Sequence, residues 1–226
     1  MYHYVEFVQD KRDTIRQTLD VIPPVFENEI VTLKNAGYTF ITPSDLDAIL
    51  DGTEQMPTLP IILSFDDGYR DFYTDAFPIL KKYSVKAISY VVPGFLDRPN
   101  YMFTWQVHEL VNSGLIEIGA HTIHHVSLKG MKYDLAKKEI FDSRVLLQQE
   151  FHVPVTAFAY PYGSFDLQAI QLVKDAGFTN AVSTIPGVAE NSANRFFIYR
   201  IRPGGWEGQA FLNFIQHEVA QNPPKL

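Results

Sequence analysis

The chain has 226 residues, a net charge of −7 and no cysteine, so neither a disulfide framework nor thiolate chemistry is available to it. The negative charge and the lack of any lysine and arginine cluster argue against nucleic acid or an anionic membrane as a partner, and we find no membrane span. This length suits one large domain with a substantial core, and no internal repeat or linker divides it.

Short apolar runs typical of strands alternate with amphipathic helical patterns along nearly the whole chain. In chain order, the predicted strands are Tyr2–Val5, Tyr38–Ile41, Ile61–Phe65, Ala87–Val92, Ile116–Ala120, Thr156–Tyr160, Ala181–Thr184 and Ile198–Ile201. The predicted helices are Glu27–Asn35, Thr74–Tyr83, Trp105–Asn112, Asp134–Glu150, Leu167–Ala176 and a surface helix at Phe211–Ala220, with Ser44 and Asp166 as N-caps. Such alternation places helices over parallel strands and predicts an α/β fold. Seven or eight strands favour a closed or nearly closed barrel over an open sheet.

Two adjacent aspartates, Asp66 and Asp67, end the apolar run 60–65. Taken alone, Asp-Asp-Gly after a strand is also good turn chemistry, since Gly68 can take a positive φ. However, charge is costly where a buried strand ends, and neighbouring carboxylates repel each other. A bound cation beside a water that gives up a proton would explain why both stay ionised.

Three of the seven histidines lie within the segment His121-Thr-Ile-His-His125, directly after the strand 116–120. On one helical turn His121 and His125 would point to the same side and could share an ion, whereas His124 would point elsewhere. We therefore predict that one aspartate and two histidines hold a divalent ion, with coordination positions left for water and substrate. Zinc fits this ligand set best, and the second aspartate stays free to act as a base.

Two further segments bear on the chemistry. The Pro-Tyr-Gly turn at 161–163 follows the strand 156–160, and its backbone N–H groups could face an oxyanion, although a strand that simply ends in a turn explains it too. The reaction also needs a general acid, and His3 is one candidate. The other histidines are His108 and His152, which fall on or beside helical patterns and are expected to be outward or structural, and His217.

Together these motifs resemble carbohydrate esterase family 4, the polysaccharide deacetylases with a NodB-homology domain, over about residues 2–202. Ser64-Phe-Asp-Asp-Gly68 is similar to the family's Thr-Phe-Asp-Asp-Gly motif, and His121-Thr-Ile-His-His125 to its His-Ser/Thr-x-x-His motif. Flanking segments that also fit are Tyr69-Arg-Asp-Phe-Tyr, Pro78-Ile-Leu-Lys-Lys-Tyr and Ala159-Tyr-Pro-Tyr-Gly163. The resemblance implies a distorted (β/α) barrel of about seven parallel strands, formed by a single catalytic domain over residues 1–226.

The resemblance also implies a role for each residue of the two motifs. Asp66 would be the catalytic base. Asp67, His121 and His125 would hold the metal, which we expect to be Zn²⁺ or another divalent transition metal such as Co²⁺ or Ni²⁺.

Two departures from the family pattern stand out. The third motif commonly reads Arg-x-Pro-Tyr, and its arginine position is Ala159 here. The guanidinium that would orient the base is therefore missing, unless Arg200 or Arg202 replaces it from a neighbouring strand. The family's late Leu-x-His motif, which usually supplies the general acid, is matched only by Ile215-Gln-His217 in the predicted surface helix.

The chain is most similar to a subgroup that deacetylates poly-N-acetylglucosamine and opens with a Tyr-His segment whose histidine is thought to be the acid. This resemblance favours His3 over His217. The implied reaction is removal of N-acetyl groups from a polysaccharide such as poly-N-acetylglucosamine, peptidoglycan or a chitin-like polymer. Asp66 would take a proton from the attacking water, the metal and a backbone N–H near Tyr162 would stabilise the oxyanion, and His3 would protonate the departing amine.

Aromatic residues make up 14% of the chain, which either a sugar-binding groove or a generously packed core would explain. We expect substrate contacts from Pro161, Tyr162, Trp105 and Trp206. The alternatives are an O-acetyl esterase acting on a glycan such as acetylated xylan, a catalytically dead carbohydrate-binding domain, and a protein whose metal only stabilises the fold. We expect a monomer that acts outside the cell or in the bacterial cell envelope, with any export segment outside this sequence.

Overall fold

The computed structural model describes residues 1–188 and 193–221. Five parallel strands form one curled sheet in the order of the chain: β3 (Ser64–Phe65), β4 (Ala87–Val91), β5 (Ile116–Ala120), β6 (Ala157–Ala159) and β7 (Asn180–Val182). A separate parallel pair consists of β1 (Thr39–Phe40) and β2 (Pro60–Ile61). The strands lie side by side in the order of the sequence, because each helical crossover places the next strand alongside the previous one and parallel to it.

Helices surround this sheet. They are α1 (Thr14–Leu19), α2 (Pro23–Asn35), α3 (Pro43–Leu50), α4 (Phe77–Tyr83, after a π-helical turn at Phe72–Ala76), α5 (Thr104–Asn112), α6 (Tyr133–Phe151), α7 (Leu167–Asp175) and α8 (Gly208–Gln221). The predicted α/β fold with parallel strands in a distorted barrel is confirmed.

The sheet has fewer strands than the seven or eight that the sequence predicts. The predicted strand 61–65 is split, because Pro60–Ile61 pairs with β1 while Ser64–Phe65 pairs with β4. The predicted first and last strands each contribute only a bridge, between Tyr2 and Phe65 and between Val182 and Ile198. They still flank the sheet, so the barrel is a curled half-barrel with short bridged edges.

The helix predictions hold for the longer elements. Asp166 caps α7 as predicted, accepting from the backbone N–H of Ala169 at 2.9 Å. The prediction of Ser44 as a cap is wrong, because Thr42 caps α3 and forms a reciprocal capping box with Asp45. Helix α1 has six residues and was not predicted, and of the eight-residue helix α3 only a capped start at Ser44 was predicted, since a short amphipathic pattern gives little periodicity.

The alternation of side chains along each strand separates two apolar layers. One side of the sheet packs under the helices, and the other fills the barrel interior with Tyr90, Ala159 and Val182, among others. Gly119 on β5 leaves the space that the Tyr90 ring occupies, because a Cβ there would overlap with the ring. Residues that follow the carboxyl ends of β3, β5 and β6 therefore meet at one rim of the barrel.

Candidate active site

The aspartate pair lies where β3 ends. Asp66 is only 3% exposed, and its backbone N–H donates to the carbonyl of Tyr2 at 3.1 Å. Asp67 and Gly68 then take φ values of 75° and 76°, in the left-handed region that non-glycine residues rarely occupy. This turn sends the two carboxylates to different partners.

Arg200 holds the Asp66 carboxylate in a two-pronged ion pair. Its Nη1 donates to Oδ1 and its Nη2 to Oδ2, both at 2.7 Å, and its Nε donates to the carbonyl of Ser183 at 2.8 Å. Burial opposes ionisation of Asp66, but the charge and hydrogen bonds of Arg200 outweigh burial and lower its pKa to about 2. The guanidinium that is missing at Ala159 is thus supplied by Arg200, whereas Arg202 is exposed.

Asp67, His121 and His125 converge at the rim of the barrel. Oδ1 of Asp67 lies 3.2 Å from Nε2 of His121 and 3.1 Å from Nε2 of His125. One ligand atom from each of the three residues lies within 4.8 Å of the others. Spacing predicted the two histidines with one aspartate, and the family resemblance singled out Asp67, but the predicted helical turn is wrong. Thr122 and His125 have φ values of 59° and 52°, which an α-helix excludes.

These three residues fit a divalent metal ion. Nδ1 of His121 lies 2.7 Å from the carbonyl oxygen of Ala159, which can only accept, so Nδ1 carries the proton and Nε2 of the neutral ring offers a lone pair. Oδ1 of Asp67 is buried and, among the described residues, has no hydrogen-bond partner of good geometry. A cation among these acceptors removes their mutual repulsion. Burial lowers the pKa of His121, but without a cation the hydrogen bond and charge of Asp67 outweigh burial and raise it.

The turn after β6 borders the same site. Pro161 is buried, and Tyr162 is 68% exposed with a φ of 58°. The hydroxyl of Tyr162 lies 3.1 Å from Nδ1 of His125, the ring nitrogen that faces away from Asp67. The side chain of Tyr162 thus contacts a residue of the candidate metal site, a role that the sequence did not suggest.

The histidines considered as general acids lie in different places. His3 is half-buried and follows Tyr2, whose carbonyl accepts from the backbone N–H of Asp66. Burial lowers the pKa of His3, while the charges of Asp66 and Asp67 act in the opposite direction. His217 is exposed on α8, which packs on α2. His108 and His152 are on α5 and at the end of α6, in the positions that the sequence predicted.

The two tryptophans lie on the surface. Trp105, 53% exposed in the first turn of α5, meets Tyr73 edge-on at 5.4 Å and stacks with Phe103 at 6.4 Å. Trp206, 52% exposed, lies in the segment that leads into α8. Since α5 follows β4 and starts on the side of its carboxyl end, Trp105 lies on the same side of the barrel as the aspartates.

Two tyrosines near the aspartates were not singled out from the sequence. Tyr69 stacks with Tyr4 at 4.1 Å and with Tyr101 at 5.1 Å. Burial, reinforced by the charge of Asp67, raises the pKa of both Tyr69 and Tyr101, so neither ionises near neutral pH. Tyr69 directly follows Asp-Asp-Gly, and this proximity was the available signal.

Comparison with known proteins agrees with this geometry. The family model for polysaccharide deacetylase matches residues 53–181, more than half of the chain. The chain belongs to the polysaccharide deacetylase family. It is therefore a hydrolase, and the predicted resemblance is confirmed.

Individual relatives support this assignment. YxkH of Bacillus subtilis (strain 168) is 30% identical over 192 residues, which are 84% of this chain and 68% of that protein. A poly-beta-1,6-N-acetyl-D-glucosamine N-deacetylase of Staphylococcus aureus (strain MSSA476) is 27% identical over 190 residues, 78% of this chain and 65% of the relative. The structure of the Streptococcus pyogenes deacetylase PplD in complex with acetate superposes with a TM-score of 0.87 at 26% identity, covering 96% of both chains.

The chain thus spans about two thirds of the length of the curated relatives. None of the helices in the described part of the chain has the length and hydrophobicity that a membrane crossing needs.

Proposed function

We propose that this chain is a metal-dependent N-deacetylase that removes acetyl groups from a polysaccharide containing N-acetylglucosamine. The observation that carries the proposal is the different environment of the two aspartates. Asp66 is held ionised by Arg200, while Asp67 faces His121 and His125. Metal-assisted hydrolysis of an amide requires an ionised carboxylate that is not itself a metal ligand, placed beside a three-ligand metal site.

The residues of this chain divide the work of the reaction. Asp67, His121 and His125 would hold a divalent ion, with Zn²⁺ the best match to the donor set. When bound, such an ion acts as a Lewis acid and makes water easier to deprotonate. Asp66, kept ionised by Arg200, accepts the proton of the attacking water. The backbone N–H of Tyr162 donates to the developing oxyanion.

The leaving amine needs a proton, and we assign its donor to His3. His3 directly follows Tyr2, whose carbonyl accepts from the backbone N–H of Asp66, whereas His217 is exposed on α8. Acetate and a free glucosamine unit are the products. The presence of acetate in the PplD structure agrees with that product.

The substrate class follows from the relatives. The Staphylococcus aureus relative is an N-deacetylase of poly-beta-1,6-N-acetyl-D-glucosamine, and we extend that substrate class to this chain. Trp105, Trp206 and Tyr162 are exposed aromatics suited to stacking against sugar rings, with Pro161 shaping the turn beneath Tyr162. Such polymers lie outside the cell, so we place the protein there or in the cell envelope, acting as a monomer in one catalytic domain.

Acetate release from N-acetylglucosamine oligomers tests the proposal. Zn²⁺- or Co²⁺-loaded protein should release acetate, a chelator should abolish release, and Asp66→Asn should abolish it while leaving the metal bound. Release from acetylated xylan but not from the amide substrate would identify an O-acetyl esterase instead. Metal-loaded protein that releases none from any acetylated glycan would refute the enzyme proposal and leave a binding domain or a structural metal site.

A further inference from the structure

Glu139, on α6, binds the segment 121–125, which we call the histidine loop. Its Oε2 accepts from the backbone N–H of Ile123 at 2.9 Å and of His124 at 3.0 Å, and its Oε1 lies 2.8 Å from Nδ1 of His124. A carboxylate only accepts, so Nδ1 of His124 is a donor. One carboxylate therefore takes three hydrogen bonds from the stretch between the two metal-site histidines.

The histidine loop has a backbone that needs external support. Thr122 and His125 both adopt left-handed φ values, 59° and 52°, on residues with a Cβ. Such conformations persist only where surrounding contacts impose them. From the residue just after the loop, the backbone N–H of Val126 donates to Thr122 Oγ1 at a long 3.3 Å. Contacts from outside the loop therefore fix where His125 points.

The opposite side of the loop is held by the turn after β4. The backbone N–H of Gly94 donates to the carbonyl of Ile123 at 3.0 Å, and a Cβ on Gly94 would overlap with that carbonyl oxygen. The Ile123 residue is thus fixed through its N–H by Glu139 and through its C=O by Gly94. It lies midway between His121 and His125, so both ligand directions depend on it.

Glu139 projects from a rigid part of the fold. Its neighbours on α6, Ala136 and Ile140, are fully buried, and its own side chain is 15% exposed. Because the helix holds this carboxylate in place, the position of the carboxylate determines the position of the loop that bonds to it.

We propose that Glu139 is a positioning residue for the metal centre, which sets the separation and direction of His121 and His125 through the backbone between them. His124, which the sequence suggested was uninvolved, takes part through its side chain, because its Nδ1 donates to Glu139 Oε1. The inference rests on the proposed function only through its metal site and is independent of the substrate.

Metal affinity of the purified chain tests this inference. Competition with a chromophoric chelator gives the Kd for Zn²⁺ and Co²⁺, and the visible spectrum of the Co²⁺ form reports ligand geometry. We expect Glu139→Ala to raise the Kd about tenfold, in the range for loss of groups that orient ligands, and to shift the Co²⁺ bands. Glu139→Gln should stay close to wild type, because its amide oxygen still accepts from both backbone N–H groups.

Glu150→Ala is the matched control. Glu150 lies on the same helix with its carboxylate 3.4 Å from His108, and its removal should leave the Kd unchanged. Glu139→Ala that melts at a lower temperature but keeps the wild-type Kd and spectrum would show a merely structural role and overturn the inference.

If Glu139→Ala does not fold, Glu139→Asp decides, since its shorter side chain cannot reach all three donors. A wild-type Kd for that variant overturns the inference, and a raised Kd supports it. Wild-type protein that binds neither metal would overturn both this inference and the proposed function. Protein that binds metal but releases no acetate would refute only the function.

Discussion

The Asp66–Arg200 ion pair makes a strong prediction about stability. Both side chains are buried, at 3% exposure for Asp66 and 7% for Arg200, and two hydrogen bonds of 2.7 Å join them. Arg200→Met leaves the Asp66 carboxylate buried without its partner, which typically costs about 3–5 kcal/mol of unfolding free energy. For a chain of this size that corresponds to a fall in Tm of roughly 10 °C.

The pKa of Asp66 gives a second, independent value for the free energy by which the Asp66–Arg200 ion pair stabilises the fold. It falls from 3.8 to about 2 although burial alone would raise it. At 1.36 kcal/mol per pKa unit, the difference corresponds to about 2.5 kcal/mol, and the contribution of Arg200 itself is larger because it also offsets burial. Since the folded-state pKa is depressed, this stabilisation is fully present above pH 3.8 and is lost as the pH falls through about 2.

A double-mutant cycle of Arg200→Met and Asp66→Asn measures the pair, by urea unfolding of metal-free protein at neutral pH. Each single variant leaves one buried group unpaired, so the double variant should cost at least about 2 kcal/mol less than the sum of the singles. Arg200→Lys should recover only part of the loss, because lysine keeps the charge but not the planar fork. Without Arg200, burial raises the pKa of Asp66 above 3.8, so the stability gap between wild type and Arg200→Met should begin to shrink above pH 3.8 and continue to shrink as the pH falls to about 2. Additive single costs and a gap independent of pH would refute this account of the site.

Three further predictions concern the reaction and its ligands. His3→Gln should lower kcat roughly 100- to 10,000-fold and abolish the alkaline limb of the pH–rate profile, which in wild type should lie below the usual 6.5 because burial lowers the pKa of His3. His217→Gln should leave kcat unchanged; the reverse pattern would make His217 the acid. Tyr162→Phe removes the hydroxyl near His125 and should raise the Kd for Zn²⁺ up to about tenfold in a chelator competition, whereas an unchanged Kd would show that this hydroxyl does not orient the ligand. Trp105→Ala should raise KM for long polymer severalfold with kcat unchanged, and an unaltered KM would place the glycan elsewhere.

The residues of the candidate metal site could be predicted because each group directly follows a strand in the sequence. Asp66 and Asp67 come directly after one strand, and His121 and His125 lie four residues apart after another, so alternation and strand order place them at one rim. The conformation of the histidine loop could not be predicted. Its left-handed residues carry Cβ atoms, and the contacts from Glu139 and Gly94 that hold them come from other elements.

The barrel edges were harder to predict for a related reason. An apolar run predicts an extended segment, but it forms a strand of the sheet only where a neighbouring strand runs alongside it. In the predicted strand 2–5, Tyr2 pairs with Phe65 of the sheet, whereas Tyr4 pairs with Asp20 outside it. Likewise the run 60–65 looks continuous, yet its two ends pair with different strands. Local pattern determines which residues are extended, whereas tertiary contacts determine how many of them form a sheet.

The guanidinium beside Asp66 shows why a missing motif arginine does not mean a missing ion pair. Ala159 is fully buried, and its carbonyl oxygen accepts from Nδ1 of His121, so this position contributes to the site through its backbone alone. Arg200 reaches Asp66 across 134 positions of sequence, two residues beyond the bridge between Val182 and Ile198. A buried carboxylate needs a cation, but electrostatics does not specify which strand supplies it. Alternation alone also allows Arg202, but Arg200 is the residue that is buried against Asp66, whereas Arg202 is exposed.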